Sequence, residues 1–194
     1  MVNRSPRNGG FRVLPVCENE RMLSIRPAEP SDPLESLGPL DTRDADALWN
    51  ILEPLVRAGE VFTLPRNLDR EDGLRYWLSP DHEVFVAEEN GAVLGSYYLR
   101  TNQHGGGSHV ANAGYMTAAM ATGRGIARRM CEHSLDQARS RGFRAMQFNF
   151  VISTNERAIR LWQSCGFAIV GTLPKAFLHP QAGYVDAFVM YQEL

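Results

Sequence analysis

Val110-Ala-Asn-Ala-Gly-Tyr-Met-Thr117, the link Ala118-Ala-Met-Ala121, and then Thr122-Gly123-Arg124-Gly125-Ile126-Ala127 form the stretch that decides the fold of this chain. The first segment reads as a strand. The last opens an apolar-periodic run that ends near Arg141 and stops at Gly142, a residue suited to a helix C-terminus. Ile126, Ala127, Met130, Cys131, Leu135 and Ala138 recur at helical spacing and predict its inner face. Glycines at a helix N-terminus let main-chain N–H groups approach an anion closely, and the helix dipole favours negative charge there. A pyrophosphate is the natural guest. The segment is no Walker loop, because Gly-Lys-Ser/Thr is missing. It is no dinucleotide fingerprint either, because the third glycine and the later ribose-binding acid are not in place. Taken alone, Gly-x-Gly at a helix start is equally explained by a tight turn.

Downstream, Ala145–Ile152 reads as a strand with Met146, Phe148, Phe150 and Ile152 on one face. Ser153 and Glu156 have the spacing of a capping box. The helix it predicts packs Ala158, Ile159, Leu161, Trp162 and Cys165 and ends at Gly166. Final strands are expected over residues 167–171 and 184–191. Upstream, Leu23-Ser24-Ile25-Arg26 alternates like a first strand and is followed by a proline-punctuated loop. Asp41 is the expected cap of a helix running to about Ala58, kinked at Pro54. A shorter helix is expected over residues 69–78. Residues 83–89 and 92–100 are strand-like runs joined by Asn90-Gly91, a strong hairpin signal. Helices, a hairpin, then strand–helix–strand–helix–strand predict a single mixed α/β domain.

Composition narrows the classes. With 194 residues, 44% hydrophobic and 22% charged, the chain is globular and large enough to bury a core without staples. A net charge of -2 and no basic stripe argue against nucleic acid as a partner. Cys17, Cys131 and Cys165 are too few and scattered for a disulfide framework or a metal cage, and they suit a reducing cytoplasm. No metal is expected. No apolar run has the length of a bilayer span, so no membrane association is expected. Residues 1–21 lack periodicity and are expected to be a disordered or loosely attached leader, with the domain at 22–194. Met22 is an alternative point at which translation could begin.

Asn155-Glu-Arg-Ala-Ile-Arg-Leu-Trp-Gln-Ser-Cys-Gly166-Phe167 follows the glycine turn by one further strand. Together the two segments resemble the GCN5-related N-acetyltransferases, the GNAT superfamily. Its cofactor loop reads Arg/Gln-x-x-Gly-x-Gly/Ala, and its next helix reads Asn-x-x-Ala-x-x-Leu-Tyr-x-x-x-Gly-Phe. Gly125, Ala127, Asn155, Ala158, Leu161, Gly166 and Phe167 match. The resemblance covers residues 22–194. It implies a mostly antiparallel mixed sheet of six to seven strands, splayed at the cofactor site and flanked by about four helices.

What the resemblance implies about function is specific. Acetyl-CoA would be the cosubstrate, its pyrophosphate held at Thr122, Gly123, Arg124, Gly125, Ile126 and Ala127. Met116 and Thr117 would pair with the pantetheine arm like an added strand and supply a main-chain N–H to the thioester carbonyl. Asn155 would hydrogen-bond the pantetheine, and Trp162 would stand beside it. Transfer to an amine would be direct, with no acyl-enzyme. Two departures bear on this. Thr122 stands where the family has Arg or Gln, so Arg124 or Arg128 could supply that contact. Trp162 stands where a Tyr usually protonates the departing thiolate, and an indole N–H is not a usable acid at neutral pH. A thiol of pKa about 8.5 can leave with help from water.

A narrower resemblance is carried by Gly95-Ser-Tyr-Tyr-Leu, Ser108-His-Val-Ala-Asn112-Ala-Gly, Phe148-Asn149-Phe-Val-Ile-Ser-Thr-Asn155 and Val185-Asp186-Ala187. These look like fungal acetyltransferases that detoxify proline analogues such as azetidine-2-carboxylate. In that branch an Asn matching Asn149 helps hold the substrate, while another branch Asn is Ala118 here. On physical grounds Asn149 is an amide on an apolar strand and needs a partner, which neighbouring backbone could also supply. Phe62 and His179 are further acceptor-pocket candidates by analogy, and Glu60 is a candidate base or amine anchor. As residues, Glu60 and His179 read equally as solvated loop groups. The leading expectation is an enzyme acetylating a small-molecule amine or amino acid. A protein or peptide N-acetyltransferase and a non-catalytic acyl-CoA binder are the alternatives. Homodimers are common among such proteins.

Overall fold

The computed structural model describes residues 23–28 and 44–194. The expectations for residues 1–21 and for Asp41 as a helix cap lie outside the described residues. Seven strands form one sheet in the order β1-β2-β3-β4-β5-β7-β6. They are β1 Ser24–Pro27, β2 Glu83–Glu89, β3 Ala92–Thr101, β4 Val110–Thr117, β5 Ala145–Ile152, β6 Ala168–His179 and β7 Gly183–Glu193. The described chain has four α-helices, α1 Ala45–Ala58, α2 Arg70–Trp77, α3 Ile126–Ser140 and α4 Glu156–Ser164, and two short 3-10 turns at Gly105–Gly107 and Ala119–Ala121. Every neighbouring pair is antiparallel except β4 and β5. That pair is parallel because α3 carries the chain back across the sheet between them.

Local chemistry accounts for most boundaries. Asn90 (φ 53°) and Gly91 (φ 80°) take the left-handed conformations that a two-residue hairpin turn requires. Asp69 caps α2 by accepting from Asp72 N at 2.9 Å. α1 continues through Pro54 and ends at Gly59 in the left-handed region. Its first turn is tied to the sheet: the Asp44 carboxylate accepts from Arg26 at 2.8 and 2.9 Å, and Arg26 also reaches Glu88.

The sheet separates two cores. Against one face, α1 and α2 bury Leu48, Leu52, Leu74 and Trp77 on Val86, Tyr98 and Met116. Against the other, α3 and α4 bury Met130, Leu135 and Trp162 on Leu94, Tyr97 and Phe148. α3 presents the predicted face, with Ser134 added to its buried stripe.

Three sequence expectations are corrected. The Ser153–Glu156 capping box does not form; Asn155 is the N-cap of α4, and its Oδ1 accepts from Ala158 N at 3.2 Å. Phe150 does not share a face with Met146 and Phe148. A bulge between Phe148 and Val151 shifts the register against β7 by one residue, so Val151 joins the buried set instead. The last two strands are longer than expected. β6 accommodates Pro174 as an edge strand and Lys175 at φ 51°, with the Asp186 carboxylate accepting from Lys175 N at 2.8 Å.

Candidate active site

β4 and β5 pair only at Val110↔Ala145 and Ala111↔Met146 and then diverge. At the apex of the opening the Asn112 side chain bridges the two strands, Nδ2 donating to Gln147 O at 2.8 Å. The divergence leaves a cleft of about 690 Å³ that passes through the sheet. Its two ends are therefore lined by different layers.

On the α3/α4 side stands the glycine turn. Gly123 (φ 85°) and Gly125 (φ 77°) both take left-handed conformations that disfavour side chains. Gly125 is the N-cap of α3, and no side chain caps the helix or places an acid in its first turn. The first-turn N–H donors are thus left to an external acceptor, as a helix N-terminus requires. Thr122, Gly123, Gly125, Ile126 and Ala127 line the cleft, joined by Arg128 and by Asn155 and Arg157 of α4. Arg124 does not. Its Nη2 donates to Glu89 at 2.5 Å, so of the two arginines expected to replace the missing loop contact only Arg128 faces the cleft.

β4 forms the floor. Val110 O accepts from Asn102 N and Ala118 N donates to Leu94 O. Antiparallel alternation therefore turns the backbone of even-numbered β4 residues toward β3, and that of Ala113, Tyr115 and Thr117 toward the opening. Met116 lines the cleft with its side chain, yet its main chain belongs to the β3 ladder. Of the two expected main-chain partners, Thr117 has the free edge.

Trp162 is 8% exposed and lines the cleft, its ring 4.7 Å from that of Tyr115 and 5.2 Å from that of Phe148. The Tyr115 hydroxyl lies 2.6 Å from Ser134 Oγ. Burial holds its pKa well above the ordinary tyrosine value, which keeps it protonated and makes it a weaker acid than an exposed tyrosine.

On the α1/α2 side the lining is aromatic and amide-rich. Leu55, Phe62, Tyr76, Tyr98 and Phe150 supply the walls. The hydroxyls of Tyr76 and Tyr98 are 3.4 Å apart, and the imidazole of His82 stacks on Tyr98 with centroids 3.9 Å apart. Burial raises the Tyr98 pKa and lowers that of His82. Asn149 lines this side as its strand position predicts. It has side-chain partners rather than backbone ones: Gln147 Nε2 donates to its Oδ1, and its Nδ2 donates to Asn102 Oδ1, both at 2.7 Å.

Besides Arg124, two expected residues lie elsewhere. Glu60 precedes Val61 and Phe62, which line the cleft, but is not itself part of the lining. His179 sits at the β6–β7 turn, where Nδ1 accepts from Gln181 N and Ala182 N at 3.2 Å. The structure adds Tyr76, Tyr98, Arg100 and Asn112, which sequence reasoning missed. The available signal was alternation in β3, which puts Tyr98 and Arg100 on one face of an interior strand. The described lining residues include three cations, Arg100, Arg128 and Arg157, and no carboxylate. Among the described residues no cluster of His, Cys, Asp and Glu could hold a metal, and no helix is long and apolar enough to cross a membrane.

The comparisons agree with this geometry. The acetyltransferase (GNAT) family profile matches residues 46–167. A GCN5-related N-acetyltransferase from Kribbella flavida is 40% identical, with TM-score 0.79, over 89% of this chain and 98% of that one. A phosphinothricin acetyltransferase of the same superfamily from Sinorhizobium meliloti, solved with acetyl-CoA, shares the fold at 19% identity and TM-score 0.72, over 89% of this chain and 88% of that one. N-acetyltransferase aca1 of Schizosaccharomyces pombe is 32% identical over 112 residues, 57% of this chain and 54% of that protein. The chain thus spans about half the length of this curated relative.

Proposed function

Because this chain belongs to the acetyltransferase (GNAT) family, we propose that it transfers the acetyl group of acetyl-CoA directly to the amine of a small molecule or amino acid. The observation that carries the reading is the cleft through the sheet: uncapped helix N–H groups open on one side and an aromatic, amide-lined chamber on the other. The residues present fit acetyl-CoA. The α3 N-terminus, Arg128 and Arg157 suit its phosphates, and the free edge of β4 suits its amide-bearing arm. Asn155 spends its Oδ1 on capping α4, which leaves its amide N–H for the same arm.

Acetyl-CoA supplies an activated carbonyl joined to a thiol leaving group. The chain supplies orientation and charge stabilisation. The Thr117 main-chain N–H is the donor placed to meet negative charge developing on the carbonyl oxygen. Among the described residues no carboxylate lines the cleft, and water within it is the base that this lining leaves for the proton of the attacking amine. Thiolate departure depends on the thiol's own acidity, since Trp162 is no acid and Tyr115 is buried against Ser134.

The resemblance to proline-analogue acetyltransferases supports azetidine-2-carboxylate as the first acceptor to try, with Asn149 lining its chamber. The test is thiol release from acetyl-CoA with a panel of amines and amino acids. Acceptor-dependent release supports the transferase. Tight acetyl-CoA binding with no release for any acceptor would favour a non-catalytic acyl-CoA binder, the reading that Trp162 in place of the usual Tyr supports.

A further inference from the structure

The opening between β4 and β5 divides the charged lining of the cleft by sheet face. Arg128 and Arg157 belong to α3 and α4. On β3, Arg100 shares a face with Tyr98, two residues earlier, which packs in the core beneath α1 and α2. The acceptor chamber on that side therefore contains one described cation and no described anion. Among the described lining residues an amine acceptor whose only charge is its ammonium meets no countercharge, and Arg100 repels it. An acceptor that also carries a carboxylate finds a partner. The same cation disfavours the ammonium form of a nearby amine, which aids loss of the proton that must leave before attack.

The setting of Arg100 fits that task. Its Nε donates to Asn112 Oδ1 at 3.3 Å, and Asn112 is fixed in turn by Gln147 O. Its Nη1 reaches Asp81 at 3.2 Å, an exposed carboxylate outside the cleft. An exposed pair of this kind contributes little stability, so a carboxylate in the cleft can compete with Asp81 for the guanidinium. Among the described residues nothing accepts from Nη2. The guanidinium is thus oriented on two of its nitrogens and keeps donors for a ligand, a suitable arrangement for an oxygen pair.

We propose that Arg100 binds the carboxylate of the acceptor, so that the site selects small amino or imino acids over amines that lack a carboxylate. This rests on the transferase reading above and adds a residue and a chemical class to it. Asn112 acts as a positioning residue that holds Nε, while the Tyr76 and Tyr98 rings cover the apolar part of the acceptor.

The experiment uses the full chain with acetyl-CoA and a panel of amino acids, including azetidine-2-carboxylate, each against its own carboxamide. The expected result is a kcat/KM preference for acid over carboxamide of about tenfold or more. Arg100→Gln should lower use of the acids by roughly ten- to a hundredfold, mainly through KM, and change use of the carboxamides clearly less, so that the preference for acid collapses. Arg100→Lys should recover part of the preference and serves in place of Arg100→Gln if that variant does not fold. Equal losses on acids and carboxamides, or no wild-type preference, overturn the proposal. If acetyl-CoA binds and no compound is acetylated, the transferase reading fails by itself. The anchor is then judged by equilibrium binding of the same amino acids to the CoA-loaded protein. Binding that Arg100→Gln weakens would uphold it, and binding unchanged or undetectable would overturn it.

Discussion

Gly125 separates two physical effects that a single substitution would confound. Its φ of 77° lies in the left-handed region, and a Cβ built there meets nothing within 4 Å. Replacing it with alanine therefore carries backbone strain of about 1–2 kcal/mol and no collision within the protein. For a chain of this size that corresponds to a fall in Tm of roughly 2–8 °C. Gly125→Glu carries the same strain and adds a carboxylate at the uncapped N-terminus of α3. If a pyrophosphate sits at that turn, like charges meet there. A pair of unit charges at about 4 Å repels by about 4 kcal/mol at an effective dielectric near 20. Movement of the glutamate toward solvent reduces this to about 2–3 kcal/mol, roughly thirty- to a hundred-and-fiftyfold in affinity. Calorimetric titration with CoA, beside thermal melts of both variants, reads the two effects separately. Without CoA the glutamate variant should melt at or slightly above the alanine one, because the uncapped α3 N-terminus favours an acid, while it should bind CoA far more weakly. Equal CoA affinity in two folded variants would refute a pyrophosphate at this turn.

Gly114→Ala tests the packing behind the α1/α2 side of the cleft. Its Cβ would meet the Tyr98 ring at 2.5–2.7 Å, and that ring is fixed between His82, Tyr76 and Trp77. We expect a loss of about 1–3 kcal/mol in urea unfolding, and a change within ~0.5 kcal/mol would show that the ring is free to move. Trp162→Phe should keep most of the turnover and lose stability, because the indole packs on Tyr115 and Phe148 and is no acid. A collapse of kcat at unchanged melting temperature would implicate the indole N–H. His82 and His133 both have pKa values lowered chiefly by burial. The unfolded chain therefore takes up protons first as pH falls below about 6.5, and this part of the stability, complete above that pH, is lost on acidification. Urea midpoints at pH 7.5 and 5.5 should differ in that sense, with a smaller difference in His82→Asn; an unchanged difference would assign the effect to other groups.

The sequence alone carried the element order, the hairpin at Asn90-Gly91, the glycine turn before α3 and the family resemblance. Each is written in neighbouring residues: apolar period, turn conformations that only glycine or asparagine accepts readily, and helix ends. The same locality explains where it stopped. Phe150 alternates correctly along its own strand, and only the partner β7 forces the bulge that removes it from the face of Phe148. Arg124 sits within the glycine turn in sequence, yet Glu89 on β2 takes its guanidinium. His179 reads as a free loop histidine until the β6–β7 turn is seen to use its Nδ1 as an acceptor. Arg100 reads as an ordinary charge in a strand, and it lines the cleft only because β4 and β5 part beyond their first pairs. Pairing register, ion-pair partners and the opening in the sheet are set by groups distant along the chain, so no local pattern encodes them and only the assembled tertiary structure decides them.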